Sequence, residues 1–426
     1  MDTTPNHDSL ALRTIAADIE TETERVNMKM RAAAAAILVT GVAHAQSSVT
    51  LFGLIDTGIV YQNTARRTPS RATSPGASLW SMQDGNLRTS RWGLRGNEDL
   101  GGGLSAVFCL ENGFRVETGA FKNGGDLFGR QAWVGLRASQ YGTLTLGRQY
   151  DFLTDYVAPL SATSAEFGGK LASHVFDNDN LKHDMRLNNS MKFSSVSFNG
   201  FKIGAMYAFS GAAGAFANNR AYSFGADYSY GPFNFGGAYL QLNRPAQSAL
   251  ANVSGASGAA SARDGDQLTS GGRQQIFGAD AQYKAANASL GLVWTHSITY
   301  DVTGILQAGS TTTGALGGRY VKFDNLEING RYFIRPDLSV GAAYTYTTGG
   351  FGGASKGFTS ARPHWNTVMT QADYLLSRQT DIYIEGIYQR VGGANGNGAF
   401  APSISTLDPS SGNEQVVAAV GLKHRF

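Results

Sequence analysis

From Val49 to the last residue, one pattern recurs: apolar and polar side chains alternate with a period of two. Within residues 325–332, Leu326, Ile328 and Tyr332 fall on one side, and Asn325, Glu327, Asn329 and Arg331 on the other. Within 381–389, Ile382, Ile384 and Tyr388 oppose Tyr383, Glu385 and Gln389. Leu104, Ala106, Phe108 and Leu110 alternate with Ser105, Val107, Cys109 and Glu111. Successive side chains of a β-strand point to opposite faces, so each run predicts a strand with one apolar face and one polar face. Sixteen such segments begin near Val49, Ser90, Leu104, Leu127, Thr143, Asn188, Gly200, Arg220, Phe233, Arg273, Ala288, Lys322, Leu338, Asn366, Thr380 and Gln415.

The connections alternate in length. Short ones stand at 99–103, 139–142, 199–200, 231–232, 285–287, 335–337 and 377–379. Long ones stand at 64–84, 150–187, 244–272, 301–318, 349–363 and 392–413, with briefer loops near 118–126 and 211–219. A soluble sandwich has no reason to gather its long loops at one end, whereas a transmembrane barrel has short periplasmic turns and long extracellular loops. In hydrocarbon every backbone polar group must be paired, so the strands must close on themselves. The predicted fold is all-β: a 16-stranded antiparallel transmembrane β-barrel, apolar outside and polar within, wide enough for an aqueous channel. One connection is conspicuous. Residues 150–187 carry Asp151, Asp155, Glu166, Asp177, Asp179 and Asp184 among aromatic and aliphatic residues, with a turn at Glu166-Phe167-Gly168-Gly169. Loops this long are uncommon without a function, and this one is predicted to fold back onto the barrel.

Composition agrees with this reading. The chain has 426 residues with 54 glycines and only 16% charged residues, against a usual quarter or so. At the N-terminus a basic stretch from Met28 to Arg31, an apolar run from Ala32 to Val42 and Ala43-His44-Ala45 read as a cleavable signal peptide over 28–45. Residues 1–27 read as an upstream extension outside the mature protein, and 46–426 as the barrel. Residues 1–45 hold four basic and six acidic residues, so without them the formal charge rises from +3 to +5. That excess is too small and scattered for a nucleic-acid binder. Cys109 is the only cysteine, and no histidine has metal-ligand spacing, so neither a disulfide framework nor a metal or cofactor site is expected. No Gly-x-Ser-x-Gly elbow or phosphate loop occurs, and no enzymatic activity is expected.

Phe52-Gly53, residues 91–103, Arg130-Gln-Ala-Trp-Val-Gly-Leu136, Leu146-Gly-Arg-Gln149 and the terminal Gly421-Leu-Lys-His-Arg-Phe426 together resemble the general Gram-negative porins, in their betaproteobacterial branch. The resemblance spans essentially all of 46–426. It implies an outer-membrane homotrimer, exported through the periplasm and set in lipid and lipopolysaccharide. Each barrel would pass ions and small hydrophilic solutes by passive diffusion, with the third loop folded inward as a constriction. Residue by residue, it implies that Arg91, Arg130 and Arg186 line the barrel wall opposite Glu166 of that loop. Carboxylates facing guanidiniums would set a transverse field across a narrow passage. Arg95, Glu111 and Asp155 are further lumen candidates. Arg148 has outward parity and would sit in the trimer interface, and Phe426 is similar to the signal read by the barrel-assembly machinery.

The sequence departs from the family pattern at Ala162 and Ala165, where an acid and a proline often stand. Lys170 takes the place of an occasional acid, and Leu54 that of a lysine in some members. Fewer loop acids in a +5 chain imply a weak anion preference. The rivals are a substrate-selective outer-membrane channel, for instance for organic acids, and a secreted all-β adhesive protein.

Overall fold

A computed structural model describes residues 48–426 apart from 70, 165–166, 212, 215, 218, 244–258, 260–268, 307–312, 354–359 and 406. The predicted export segment and extension therefore lie outside the described residues. The first strands are β1 (Ser48–Arg66), β2 (Gly76–Asp84), β3 (Arg91–Gly101), β4 (Leu104–Gly113), β5 (Gln131–Ala138) and β6 (Gly142–Gln149). Next come β7 (Leu187–Ser195), β8 (Phe201–Ala208), β9 (Arg220–Tyr230), β10 (Phe233–Asn243), β11 (Thr269–Ser270) and β12 (Arg273–Lys284). The remainder are β13 (Ala288–Leu306), β14 (Thr313–Arg335), β15 (Leu338–Gly352), β16 (His364–Leu375), β17 (Thr380–Gly392) and β18 (Glu414–Arg425).

These elements build sixteen staves. One end of β1 pairs with β3, from Ser48↔Asn97 to Leu54↔Arg91, while its other end pairs with β2, from Thr57↔Asp84 to Arg66↔Gly76. β2 and β3 thus form one stave interrupted at 85–90. Likewise β11 continues the stave of β12, both pairing with β13. All neighbours are antiparallel, and β18 returns to β1 from Leu54↔Arg425 to Gln62↔Val417, closing the sheet without an edge.

Alternation is realised as in and out. Along β18, Gln415, Val417, Ala419 and Lys423 are buried, while Val416, Val420 and Leu422 are exposed on the outer wall. On β14 the same division separates Asn325, Glu327 and Asn329 from Leu326 and Ile328. An exposed apolar belt of this extent is the surface of a protein solvated by lipid.

Two expected loops are shorter than the alternation implied. The 64–84 connection ends in β2, whose outward Trp80 packs on Tyr61 with ring centroids 4.9 Å apart. The 301–318 connection is largely a hairpin extension, with Val302↔Gly318 and Leu306↔Thr313 paired across β13 and β14. Backbone pairing to a neighbouring strand needs no apolar periodicity, which is why these segments read as loops.

The segment 150–186 connects β6 to β7, and its described residues lie inside the barrel. They form one π turn at Leu153–Val157 and 3-10 turns at Ala158–Leu160, Lys170–Ala172 and Val175–Asp177. The loop buries three apolar contacts against the wall. Phe152, Leu153 and Val157 join a cluster with Met206, Leu240, Ile276 and Val293. Phe167 and Leu171 meet Ala343, Met369 and Ile387. Val175 and Phe176 enter an aromatic cluster of Phe323, Phe351, Trp365 and Phe400. Close approach needs glycine on the wall: a side chain at Gly204 would collide with the ring of Phe152, and one at Gly341 with that of Phe167.

Candidate functional site

The interruption at 85–90 is part of the site. After Gly85, in the left-handed region at φ 70°, the chain leaves the wall and pairs with the inner loop. The Lys170 amide donates to the Leu87 carbonyl at 3.1 Å, the Leu171 amide to that of Asn86 at 3.2 Å, and the Arg88 side chain to that of Ser164. Asp56 satisfies what this excursion leaves open. Its Oδ2 accepts from the amides of Leu87 (2.9 Å) and Arg88 (2.6 Å), and its Oδ1 from the Tyr383 hydroxyl (2.6 Å).

Beside this segment the loop and the wall enclose a cavity of about 40 Å³. Arg88, Arg91, Lys122, Arg130, Lys170, Lys182 and Arg186 line it, with Asp184, His183 and Ser164. Each cation is held in place. Arg130 Nε donates to Glu111, whose other oxygen accepts from Gln131 at 2.8 Å, and Arg91 lies 3.6 Å from the same carboxylate. Arg130 and Arg186 both stand over the Tyr150 ring, 5.9 Å and 5.4 Å from its centroid. Lys122 pairs with Asp84, and Lys182 with Asp184 at 2.5 Å. His183 is half-buried and surrounded by Arg88, Arg130, Arg186 and Arg91. Burial and those charges hold its pKa well below the ordinary imidazole range, so it is neutral here, with Nε2 2.7 Å from Ser164 Oγ.

Apart from Asp184, the loop's described carboxylates are engaged elsewhere. Asp179 and Glu327 grip His174 from both sides, at 2.6 Å to Nδ1 and 2.9 Å to Nε2, with all three side chains fully buried. Burial opposes the charge on His174, but the two carboxylates outweigh it and hold its pKa up at about 10. Glu327 also accepts from the Ala162 amide at 2.8 Å and Ser161 Oγ at 2.9 Å, so it fastens the loop to β14. Asp151 accepts from the Leu153 amide and from Asn180, and burial pushes its pKa up to about 6.

The structure brings Arg91, Arg130 and Arg186 together at one cavity, with Glu111 behind them. Glu166 lies outside the described residues. Among the described residues, the loop's charged contribution to this cavity is Lys170, Lys182, Arg186 and one carboxylate, Asp184. Arg95 is exposed on the inner face of β3, 5.3 Å from the Phe52 ring centroid. Asp155 pairs with Lys192 of β7 at 2.5 Å. Arg148 donates to the Gly129 carbonyl at 2.8 Å and to Asn188 at 2.5 Å. Phe426 exchanges backbone hydrogen bonds with Gly53, at 3.0 and 3.1 Å. Sequence reasoning missed Arg88, Lys122, Lys182 and the His174–Glu327 clamp. Only Arg88 had a local signal, its place three residues before Arg91.

A closed, lipid-belted sixteen-stave barrel with a loop packed in its lumen defines a channel-forming outer-membrane protein. The family model described as Gram-negative porin matches residues 32–394, and the chain belongs to that family. An outer membrane porin protein of Bordetella pertussis is 29% identical over 94% of this chain and all of its own length. Outer membrane porin protein 32 of Delftia acidovorans is 36% identical over 42% of this chain and 48% of its own. Among solved structures, an anion-selective porin from Comamonas acidovorans aligns at TM-score 0.63 and 21% identity, covering 89% of this chain and all of that one. The trimer form of OmpT from Vibrio cholerae aligns at TM-score 0.59 and 15% identity, over 89% of this chain and 99% of its own. The chain is an outer-membrane porin, located in the outer membrane.

Proposed function

We propose that this porin works as a homotrimer of passive channels with no enzymatic activity, and that it prefers anions. Solutes pass the cationic side chains that Arg91, Lys122 and Arg130 of the wall present beside the inner loop. Arg91, Arg130, Arg186 and Glu166 set the constriction, while Arg95, Glu111 and Asp155 shape the field around it. Arg148 lies in the subunit interface, and the assembly machinery reads Phe426. The carrying observation is the cavity's lining of seven basic side chains with a single carboxylate among them. Cations concentrated between low-dielectric walls raise the local concentration of anions and repel cations. The Comamonas structure, named for its anion selectivity, supports the same reading by fold.

Reversal potentials across planar bilayers under a potassium chloride gradient test this directly. The wild-type channel is expected to be more permeable to chloride than to potassium. One unit charge about 6 Å from a passing ion is worth roughly 0.7 kcal/mol in water, or about threefold in permeability. Arg130→Ala is therefore expected to lower the anion/cation ratio by about threefold or more. A cation-selective wild type, or an unchanged ratio in the variant, would place the selecting charges elsewhere.

A further inference from the structure

The π turn of the inner loop, Leu153–Val157, rests on β9, β10 and β12, and the wall beneath it carries charges that none of the loop's anchors uses. Side chains sharing the parity of Ser223 and Ile276 point inward, which puts Asp227 of β9 and Asp280 of β12 on the lumen side. Register sets them at one height: Gly236 of β10 pairs with Asp227 on one side and with Asp280 on the other. Neighbouring strands stand about 4.8 Å apart, so the two carboxylates flank a position that has no side chain.

The three atoms closest to the space over Gly236 are all oxygens. A Cβ built there would stand 2.7 and 2.9 Å from the two carboxylate oxygens of Asp280, and closer still to the carbonyl oxygen of Tyr156 in the turn above. Asp280 is 8% exposed, and no hydrogen bond of ordinary geometry reaches either of its oxygens, although the Gly236 amide faces them. The charges that act on it, Asp227 and Glu327, are both negative. Asp227 turns Oδ2 toward Lys202 at 3.8 Å, while its Oδ1 is enclosed and has no hydrogen bond. A buried carboxylate set against a carbonyl oxygen is acceptor against acceptor, which is unfavourable unless positive charge lies between them.

The donors select the cation. Two carboxylates and a backbone carbonyl are hard oxygen ligands, and calcium takes about six to eight of these at about 2.3–2.6 Å in a flexible geometry. Magnesium demands a near-ideal octahedron and suits a niche with a bidentate carboxylate less well. A shared proton would bridge two of these oxygens and leave the others unanswered.

We propose that the niche over Gly236 binds a calcium ion. Both oxygens of Asp280, the Tyr156 carbonyl and Asp227 hold it, and water from the lumen completes its shell. The ion ties the π turn of the inner loop to β9, β10 and β12, beside the apolar contacts of Phe152, Leu153 and Val157.

The test uses the full chain refolded in detergent without lipopolysaccharide and stripped with a chelator. It is titrated calorimetrically with calcium chloride over a background of magnesium chloride. One calcium per protomer is expected. Asp280→Asn is expected to weaken binding at least tenfold; its amide can donate to the Tyr156 carbonyl, so the loop stays seated and the barrel folds. Asp337→Asn, which removes an exposed carboxylate at the 335–337 turn, is expected to bind calcium as wild type does. Hydrogen exchange at the amides of 153–157 should slow at least threefold when calcium is added to wild type, and should not respond in Asp280→Asn. Absence of calcium binding by wild type, or wild-type affinity in Asp280→Asn, would overturn the proposal. So would calcium bound with no change in exchange at 153–157, which would place the ion away from the loop.

Discussion

Glu111 is the residue on which the cationic cavity turns. It is buried, it receives Arg130 and Gln131 directly, and it lies 3.6 Å from Arg91. Without it, two guanidiniums and Arg186 would share the neighbourhood of Tyr150 with no carboxylate of the wall between them. Glu111→Gln preserves an acceptor for Arg130 and removes only the charge. The anion/cation permeability ratio is then expected to rise, by about threefold on the same Coulomb estimate used for Arg130. It moves opposite to Arg130→Ala in the same bilayer measurement, and this opposition of sign distinguishes an electrostatic effect from a change of bore. Removing one partner from a buried ion pair typically costs roughly 3–5 kcal/mol. The variant is therefore also expected to unfold at lower temperature, seen as earlier loss of the compact gel band on heating. A ratio that falls or stays put would show that Glu111 is only structural.

Among the elements, the inner loop depends most on a single side chain. His174 carries a proton because Asp179 and Glu327 flank it, and its pKa stands at about 10 against an unperturbed value near 6.5. A group whose pKa is raised on docking stabilises the docked state fully below its undocked value, and that contribution fades as pH climbs through the raised value. Loop anchoring is therefore expected to be constant below about pH 6.5 and to weaken between there and about pH 10. Hydrogen exchange of the loop amides should accelerate over that window beyond the intrinsic base-catalysed rate. His174→Ala should show faster loop exchange even at pH 6, because it strands two buried carboxylates, at roughly 3–5 kcal/mol for a broken buried pair. Identical protection in variant and wild type would mean that the apolar contacts of Phe152, Phe167 and Phe176 hold the loop alone. This anchoring was not legible in the sequence. Strands announce themselves through neighbours two residues apart, as at Leu326, Ile328 and Tyr332, whereas His174 meets a partner 153 residues away. The same applies to 85–90, whose departure from the wall depends on Asp56 and on the amides of Lys170 and Leu171. The loop's length and its place as third long loop were visible. That Lys170, Lys182 and Asp184 of the loop meet the arginines at one cavity required the folded path.

For the whole molecule, closure is the condition for existing in a bilayer, since an open edge would leave unpaired backbone in hydrocarbon. The alternation in the last strand and the terminal aromatic made closure readable in outline, but the seam itself depends on one small residue. β18 reaches β1 with Leu54↔Arg425, and beyond it Phe426 and Gly53 exchange both backbone hydrogen bonds. The Phe426 ring lies across Gly53, so an added side chain would collide with it and would stand 2.8 Å from the Arg91 carbonyl on the other side. Moving the ring relieves the first contact but not the second, because the carbonyl belongs to the β1–β3 ladder. Gly53→Val is accordingly expected to strain both sides of the seam, by roughly 1–3 kcal/mol for overpacking. The fraction of refolded protein migrating as the compact, heat-modifiable barrel should fall. Gly237→Val provides the comparison: the nearest atom to a Cβ there, a carbonyl oxygen, is 3.8 Å away, and the residue sits mid-wall on β10, far from the seam. That variant should refold like wild type. Equal yields from the two valine variants would show that the seam tolerates displacement and that closure is held by the longer ladder from Leu54 to Gln62 alone.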